Sequence, residues 1–551
     1  IVNSNISYSG APSKSFTGTG YTAFRAAYDS RTPAVFAGAN DGMLHAFSAT
    51  TGDELFAYIP SWLGRNLSAL TDPTFANNHQ NYVDAPSVVS EAQVANTGAS
   101  TDWKTVLVSG TGGGGSGVFA LDVSNPANFS ASNVMWEFTR ADDEDMGQVV
   151  GEPKILKIKT SGTNSTVTYR WFAVVGSGVN NYVPDADNRF SSTGKPALFL
   201  LALDKPSGEA WSLGTNYYKI SVPTDSSLAS TNATGLTNFS ALYGTQGEMT
   251  DIYMGDLHGA LWRLKFAEKE PTDWNMDILS YFNKGSAGSP IPYPLYIART
   301  GDASPKVQPI FAAPTPFAGP IVGGLESFYI VFGTGKYLES SDNISTTTQS
   351  VYAVYDNGAT TADNSPASAS VITGRGRLQA GVVNTTTKTI TVSAFKWGRP
   401  STNADMTSRA GWYFDLPISG ERIDQAALDL GTLYAAINSK IPGSTSAGAG
   451  SCSNTLGSGN QYFLSINSGS GSYVPSSLGL LGPPVLLSSD SETVVTPSDS
   501  TGRRVRTTTL RRFTQAQSGI DTSAPPVTTK ETIGRLNWRQ IFNYQDMKNA
   551  P

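Results

Sequence analysis

Short apolar runs separated by turn residues follow one another along the chain. Residues 35–38 are apolar or small, an Asp-Gly pair stands at 41–42, a second apolar run covers 43–47 and a Thr-Gly pair follows at 51–52. Asp-Gly and similar pairs favour hairpin turns, because glycine tolerates the positive φ angle that other residues avoid. The pattern therefore predicts short antiparallel strands joined by tight turns, and almost no helices.

The same order of strand, glycine turn and strand recurs through the chain. Its units begin at residues 35, 106, 172, 252, 329 and 433. Their spacings of 71, 66, 80, 77 and 104 residues exceed the roughly 40–50 residues of a bare propeller blade, so each unit carries a loop insertion. One four-stranded sheet cannot bury both faces, whereas sheets stacked in a ring cover one another. We therefore predict an all-β fold, a modified seven-bladed β-propeller with long loop insertions, whose seventh blade is closed by terminal segments. A pair of β-sandwiches is the alternative.

Changes in composition along the chain suggest the domain boundaries. We expect a lead-in segment at 1–33, the propeller domain at 34–542 and a short tail at 543–551. Two stretches inside the domain are rich in small polar residues, the Ser/Gly-rich 444–459 and the Ser/Thr/Pro-rich 496–529 with its cluster of arginines. Such compositions are typical of surface loops, so both are predicted to be surface insertions.

The overall composition excludes several classes of protein. The chain has 551 residues, of which 39% are hydrophobic and only 15% are charged, with a net charge of −6 and no basic block. A large nucleic-acid-binding surface is therefore not expected. No apolar run reaches the roughly 18 residues of a membrane-spanning helix. Low charge with abundant Gly, Ser and Thr favours an exported or surface β protein.

The residues most often used for metal or redox chemistry are scarce. The one cysteine, Cys452, rules out an internal disulfide, a Cys-rich zinc site and an iron–sulfur cluster. The three histidines are His45, His79 and His258. We interpret His45 and His258 as equivalent packing positions of the repeat. The glycine run at 112–115 lacks the Gly-Lys-Ser/Thr of a phosphate-binding loop and is interpreted as a hairpin.

A set of short motifs points to a known family. In chain order they are GANDGMLHAF at 38–47, YVDAP at 82–86, GVFALD at 117–122, GDLHGALWR at 255–263, GTGKYL at 333–338, GWY at 411–413, GER at 420–422 and NWR at 537–539. The ordered set, spread over roughly residues 34–542, resembles the C-terminal domain of the PilY-type type IV pilus biogenesis factors. That family includes the neisserial PilC adhesins.

This resemblance implies a modified seven-bladed propeller that is exported and non-catalytic. It implies a place at the pilus tip, on the cell surface or at the outer membrane of a Gram-negative bacterium. The implied roles are adhesion and the assembly and retraction of pili, and through these twitching motility and virulence. The implied partners are minor pilins at the tip and a host or surface receptor, and no cofactor is expected. The von Willebrand A-like region of the family is not visible in this sequence.

The resemblance also raises the question of calcium. Family members often carry a loop of the form Asp-x-Asp-x-Asn/Asp-Gly-x-x-Asp before the strand that ends in Gly-Asp. Counting back from the Gly-Asp pair at 255–256 puts the turn glycine at 247 and the ligand positions at Leu242, Gly244, Gln246 and Thr250. Calcium binds hard oxygen ligands, chiefly carboxylates, and none of these four residues has one. We therefore predict that the family calcium site is absent or very weak here.

Two other acidic clusters are secondary candidates for a cation. Asp185 and Asp187 have the alternate spacing of calcium ligands and are followed by Asn188, but no later acidic residue completes a 12-residue loop. We interpret them chiefly as a turn rich in Asx residues. The acidic run at 142–145 is interpreted as a solvated turn, because four adjacent acids cannot all point at one ion.

Two alternatives to a pilus factor stay open. The segment at 38–47 with its following Thr-Gly-Asp also resembles the repeat of quinoprotein dehydrogenase propellers. Those enzymes use a vicinal disulfide beside the cofactor, which a single cysteine forbids, and no catalytic carboxylate is placed by a motif. The other alternative is a general surface propeller that binds another surface protein. The prediction is a binding protein and not an enzyme.

Overall fold

In a computed structural model of the chain, the residues described are 3–75, 79–162, 167–181, 194–283, 288–321, 323–358, 372–373, 375–399, 408–431, 433–443, 457–487, 494–497, 504–522 and 527–533. Within these ranges the chain is nearly all strand and loop. The α-helices there are short, namely α1 (Tyr21–Tyr28), α2 (Ser226–Ala229) and α3 (Met276–Leu279). The prediction of an all-β chain is confirmed.

The strands of the first half are short and closely spaced. They are β1 (Ser7–Ser9), β2 (Ala34–Gly38), β3 (Leu44–Ser48), β4 (Glu54–Tyr58), β5 (Ser87–Gln93), β6 (Trp103–Gly110), β7 (Gly117–Asp122), β8 (Val134–Thr139), β9 (Lys154–Ser161), β10 (Thr168–Gly176), β11 (Gly178–Val179), β12 (Ala197–Ala202), β13 (Tyr217–Ser221), β14 (Gly235–Tyr243), β15 (Met249–Asp256) and β16 (Ala260–Lys265).

The second half continues in the same way. Its strands are β17 (Tyr296–Ile297), β18 (Thr315–Ala318), β19 (Phe328–Gly333), β20 (Ser350–Asp356), β21 (Ile372–Thr373), β22 (Gln379–Asn384), β23 (Thr389–Val392), β24 (Gly411–Asp415), β25 (Leu428–Asp429), β26 (Tyr434–Asn438), β27 (Asn460–Ser465), β28 (Gly471–Pro475), β29 (Leu481–Leu487), β30 (Val494–Pro497), β31 (Arg504–Ala516), β32 (Gly519–Asp521) and β33 (Val527–Ile533).

Consecutive strands pair into sheets in chain order. The first sheet is β1-β2-β3-β4, the second β5-β6-β7-β8, the third β9-β10-β12-β13, and the fourth β11-β14-β15-β16-β17-β21. The first sheet takes its opening strand from the segment 1–33, since Ser7 pairs with Phe36. That segment is therefore part of the first sheet and not only a lead-in.

The expectation of seven separate blades is not met within the described ranges, where the strands form six sheets. One of these has ten strands because the hairpin β22–β23 joins two neighbouring meanders. Strand β22 pairs in parallel with β24 of the first meander, β18-β19-β20-β24. Strand β23 pairs with β28 of the second meander, β25-β26-β27-β28. An insertion has thus fused two of the predicted units edge to edge.

The last sheet is built around the long strand β31, which pairs with β29, β30, β32 and β33. Most of the stretch 496–529 therefore belongs to a sheet and is not a surface loop. Residues 444–456 of the other predicted insertion, which include Cys452, lie outside the described residues. So do residues 534–551, which include the NWR motif and the predicted tail.

Neighbouring sheets bury each other's faces. In β10, Phe172 and Val174 pack into a core shared with the fourth sheet, while Ala173 and Val175 pack into a core shared with the second sheet. Five large apolar clusters join successive sheets in this way, including the two meanders of the ten-stranded sheet. This face-to-face succession of antiparallel sheets is the architecture of a β-propeller, in which stacking buries what one sheet cannot bury alone.

A glycine marks a close approach in five of these junctions. At the end of the second strand of these meanders a Cβ would overlap a residue in the next sheet or just before it, which is why the positions hold Gly38, Gly110, Gly176, Gly255 and Gly333. The sixth repeat has Asn438 there instead. Its amide donates a 2.8 Å hydrogen bond to the carbonyl of Gly482 in the last sheet.

The junction that Asn438 begins is polar. Gln461 of β27 donates to Asp521 of β32 at 2.9 Å and accepts from Arg512 of β31. The guanidinium of Arg512 also lies 4.0 Å from the ring centroid of Phe463. The last sheet is therefore attached through buried polar groups, whereas the earlier sheets are joined by apolar cores.

Candidate functional site

The predicted calcium ligand positions lie on the hairpin between β14 and β15. Leu242 is paired with Asp251 in the ladder, and Tyr243 is paired with Met249. The hydroxyl of Thr250 donates to the carbonyl of Leu242 at 3.3 Å. Leu242 is thus engaged in strand pairing, Thr250 lies at the bulge where the register shifts and binds Leu242 through its hydroxyl, and only residues 244–248 remain for the turn.

The turn itself is closed by its own backbone. The amide of Gly244 donates to the carbonyl of Glu248 at 2.8 Å, and the amide of Gly247 donates to the carbonyl of Gly244 at 3.1 Å. Gly247 has φ 74°, a conformation that favours glycine. The Glu248 carboxylate folds back to accept from the amide of Gln246 at 2.9 Å. The carboxylate that the turn contains is therefore used to hold the turn.

A lysine from the neighbouring sheet reaches this hairpin. The ammonium of Lys157, on β9, donates to the carbonyl of Gln246 at 3.0 Å and lies 4.3 Å from the ring centroid of Tyr169. Burial lowers the pKa of Lys157, and the nearby Glu248 carboxylate opposes that shift. Sequence reasoning missed Lys157. The available signal was the lysines at 154, 157 and 159 within an otherwise apolar strand.

The acidic run at 142–145 is not a fully solvated turn. Asp143 is buried, and Asp143 and Asp145 each bind the ammonium of Lys219 at 2.9 Å. Asp142 accepts from the amide of Thr139 at 2.8 Å. The run therefore ties the second sheet to β13 of the third sheet. The prediction failed because the lysine that neutralises these acids lies more than 70 residues away in the chain.

The secondary calcium candidates Asp185, Asp187 and Asn188 lie outside the described residues, so their role stays a prediction. In the part of the chain that the structure describes, no three His, Cys, Asp or Glu side chains come together in a way that could hold a metal ion. Over the same residues, none of the helices has the length and apolar character needed to cross a membrane.

His45 is clamped between two carboxylates. Its Nε2 lies 2.8 Å from Asp41 and its Nδ1 lies 2.6 Å from Glu54. Burial disfavours the charged ring, but the two carboxylates outweigh burial and raise the pKa of His45. Because each ring nitrogen faces an acceptor, the imidazolium form satisfies both contacts.

His258 has a different environment, which corrects the expected equivalence of the two histidines. Its ring lies between the hydroxyls of Thr234 at 3.2 Å and Thr224 at 3.3 Å. Burial and the charge of Arg299 lower the pKa of His258 to about 4. In the strand pairing, Gly38 faces Leu44 and Gly255 faces Leu261. His45 and Trp262 each follow that partner by one residue. The counterpart of His45 is therefore Trp262 and not His258.

Two of the family-like motifs meet and brace a pair of loops. Lys336 of GTGKYL binds Asp342 at 2.9 Å and Glu339, and its carbonyl accepts from Arg422 of GER at 3.0 Å. Glu421 is buried and accepts from Tyr462 at 2.7 Å. We call residues 334–349 and 416–423 the braced loops. Their motif residues serve the internal structure.

The braced loops also present apolar side chains to solvent. Ile344 is 81% exposed and Ile418 is 43% exposed. The arginine of GER holds the two loops together, since Arg422 donates to the carbonyl of Ser345 at 3.4 Å and to the carbonyl of Gly420 at 3.0 Å. Loops held in place by a rigid scaffold are where binding residues are most often found.

Comparison with known proteins places the chain in a family. Residues 1–396 match the family model described as the PilY1 beta-propeller domain. A type IV pilus biogenesis factor PilY1 homolog of Xylella fastidiosa is 33% identical over 417 residues, covering 73% of this chain and 24% of the relative. PilY1 of Pseudomonas aeruginosa UCBPP-PA14 is 30% identical over 430 residues, which cover 73% of this chain and 33% of that relative.

The fold agrees with that of a solved relative. The crystal structure of the Pseudomonas aeruginosa PilY1 C-terminal domain superposes with a TM-score of 0.60 at 22% identity, covering 93% of this chain and 98% of that one. The chain spans about a quarter to a third of the length of the two curated relatives above. Because the family model matches residues 1–396 of 551, the chain belongs to the PilY1 β-propeller domain family.

Proposed function

We propose that this chain is the propeller module of a type IV pilus biogenesis factor and that it acts by binding other proteins, without catalysing a reaction. The observation that carries the proposal is the family match over residues 1–396, together with relatives that are themselves type IV pilus biogenesis factors.

The module is proposed to be exported and to work at the pilus tip, on the cell surface or at the outer membrane. Its proposed partners are minor pilins and a host or surface receptor, which would make it an adhesin as well as an assembly and retraction factor. Only 15% of the residues are charged and the sequence has no basic block. This composition supports a protein of the cell surface and argues against a nucleic-acid partner.

The blade count is also part of the proposal. The ten-stranded sheet contains two four-stranded meanders, so the first four sheets, these two meanders and the last sheet make seven units. We propose that they correspond to the seven blades of a modified propeller, with the hairpin β22–β23 as an insertion that bridges two of them.

The braced loops are the proposed contact surface. They combine the exposed side chains of Ile344 and Ile418 with partly buried ion pairs and hydrogen bonds that hold the two loops together. A rigid base reduces the conformational entropy that is lost on binding. Loops at the ends of stacked sheets also tolerate changes in length and sequence without disturbing the cores.

A deletion strain tests the pilus role. Cells that lack the chain are expected to lose surface pili and adhesion, and to regain pili when retraction is blocked in parallel. Unchanged pili and adhesion would contradict the proposal and would favour a general surface scaffold. A quinoprotein-type enzyme would instead purify with a red-shifted cofactor absorbance, which we expect to be absent.

A pair of substitutions tests the contact surface. The double variant Ile344→Asp and Ile418→Asp is expected to reduce adhesion or pilus number while leaving the melting temperature unchanged. Ile321→Asp is the matched control, because Ile321 is 73% exposed but lies on the connection after β18. Equal effects of the control and the double variant would argue against the braced loops.

A further inference from the structure

The hairpin between β14 and β15 does not fit a calcium ion. Two of the four ligand positions implied by the family resemblance, Leu242 and Thr250, are bound to each other across the ladder. The nearby Asp251 is occupied by the guanidinium of Arg263 at 2.8 Å and 3.0 Å. Calcium takes 6–8 oxygen ligands, chiefly carboxylates. The turn offers one carboxylate, Glu248, which already accepts from the amide of Gln246, besides the side-chain oxygens of Thr245 and Gln246 and backbone carbonyls.

The same hairpin nevertheless has a cation. The backbone oxygen of Gln246 accepts from the Lys157 ammonium at 3.0 Å, and Glu248 acts on this ammonium electrostatically. A backbone carbonyl is a kind of group that a metal ion would gather, and here it holds an ammonium instead. The ring of Tyr169 covers another side of the ammonium at 4.3 Å from its centroid.

We propose that the ammonium of Lys157 takes the place of a calcium ion at this hairpin and makes its conformation independent of calcium. Lys157 belongs to β9 of the third sheet, whereas the hairpin belongs to the fourth. The lysine therefore also ties two sheets together through a charge that is covalently attached to the chain. A chelator cannot remove this charge, and a change in calcium concentration cannot dilute it. The inference does not depend on the role of the chain in pili.

Calcium titration of the whole chain is the first test. Differential scanning calorimetry in millimolar calcium chloride and in EGTA is expected to show no difference in melting temperature that depends on residues 244–248, because a ligand that does not bind a site does not stabilise it. Isothermal titration with calcium chloride is likewise expected to give the same heat before and after these residues are replaced, including any heat from the candidate ligands Asp185 and Asp187. A saturable rise in melting temperature that is lost when residues 244–248 are replaced by a short glycine turn would overturn the proposal.

Substitution of the lysine is the second test, with amide hydrogen exchange of a peptide spanning residues 244–248 as the readout. Lys157→Met keeps the length of the side chain and removes its charge, so exchange is expected to accelerate about tenfold, consistent with the loss of a charge-assisted hydrogen bond. Lys157→Arg keeps a cation and is expected to retain most of the protection. Calcium is expected to restore no protection to Lys157→Met.

Lys159→Met is the matched control, because Lys159 lies two residues further along the same strand. It is expected to leave exchange of residues 244–248 unchanged. Equal acceleration in Lys157→Met and Lys159→Met would show a general effect of charge on β9 and would overturn the proposal. Restoration of protection by calcium in wild-type or variant chain would overturn it as well.

Discussion

The phenol of Tyr58, at the end of β4, donates a 2.5 Å hydrogen bond to the carboxylate of Glu137 in β8. The same carboxylate accepts from the amide of Ser61 at 2.7 Å. Burial and the neighbouring charge of Glu137 raise the pKa of Tyr58 above its ordinary value. One glutamate therefore ties the last strands of the first and second sheets, beside the apolar core that the two sheets share.

Removing the charge at this contact should loosen the edge of the first sheet. Glu137→Gln is expected to lower local stability by about 1–2 kcal/mol, because hydrogen bonds to a charged acceptor are worth more than neutral ones. Amide exchange of residues 54–61 should accelerate by roughly tenfold. Tyr58→Phe removes one of the donors and should have the smaller effect; a larger effect than that of Glu137→Gln would contradict this account.

Arg263 should be far more sensitive to substitution than an exposed ion pair. Its guanidinium binds Asp251 at 2.8 Å and Asp356 of β20 at 3.0 Å, and all three residues are buried. Arg263→Met leaves two buried carboxylates without their cation, which costs about 3–5 kcal/mol when one partner of such a pair is removed. The expected result is a clear drop in melting temperature.

The comparison for Arg263 is an arginine–aspartate pair with the same short distance but greater exposure to solvent. Arg170 and Asp204 are 2.8 Å apart, with side-chain exposures of 28% and 31%. Asp204→Asn is expected to cost at most about 1 kcal/mol. Similar losses for Arg263→Met and Asp204→Asn would show that burial does not govern the effect.

His258 should make the chain less stable in mild acid. Its pKa is about 4 in the folded chain and about 6.5 when unfolded. The unfolded state therefore binds the extra proton first, so stability is fully present above pH of about 6.5 and falls as the pH drops toward about 4. His258→Gln is expected to flatten this part of the stability profile, measured as melting temperature against pH. An unchanged acid slope would exclude His258 as its source.

Arg512 and its buried counter-charge are predicted to be replaceable together without loss of stability. It is 1% exposed, burial lowers its pKa to about 10, and two of its guanidinium nitrogens have no hydrogen-bond partner. Because an incompletely paired buried cation is costly, replacing it together with its buried counter-charge, Arg512→Met with Asp521→Asn, should leave the melting temperature unchanged or raise it. Arg512→Met alone leaves the Asp521 carboxylate without that cation and should lower the melting temperature. Arg511→Met, at the exposed neighbouring position, serves as the control, and a double variant less stable than Arg512→Met alone would refute the prediction.

The sequence predicted the repeated units well but placed their start one strand late. The units predicted to begin at 35, 106, 172, 252, 329 and 433 correspond to β2, β6, β10, β15, β19 and β26, which are the second strands of their meanders. The first strands carry many polar residues, such as Ser7 and Ser9 in β1 or Lys154 and Lys157 in β9. Their apolar signal is too weak to recognise, and for that reason β1 falls within the predicted lead-in segment.

The candidate site shows that contacts between residues far apart in the chain could not be predicted from local sequence patterns. The missing carboxylates at the calcium positions could be read from the motif, but the Lys157 contact joins residues 89 positions apart. The same is true of Lys219, whose partners Asp143 and Asp145 lie on the connection between the second and third sheets, more than 70 residues away in the chain. Such partners are set by how sheets stack, and the pattern within one unit does not contain that information.

The alternation of faces within each interior strand constrains how this protein can diversify. In β12, Leu198 and Leu200 belong to one core while Phe199 and Leu201 belong to the other. Deleting a whole sheet would bring two faces into contact whose side chains do not have complementary volumes, and protein cores need close packing. Loop lengths are free of this constraint, because the loops lie outside both cores. Lineages of this module can therefore be expected to vary in what their loops recognise while the number of sheets stays constant.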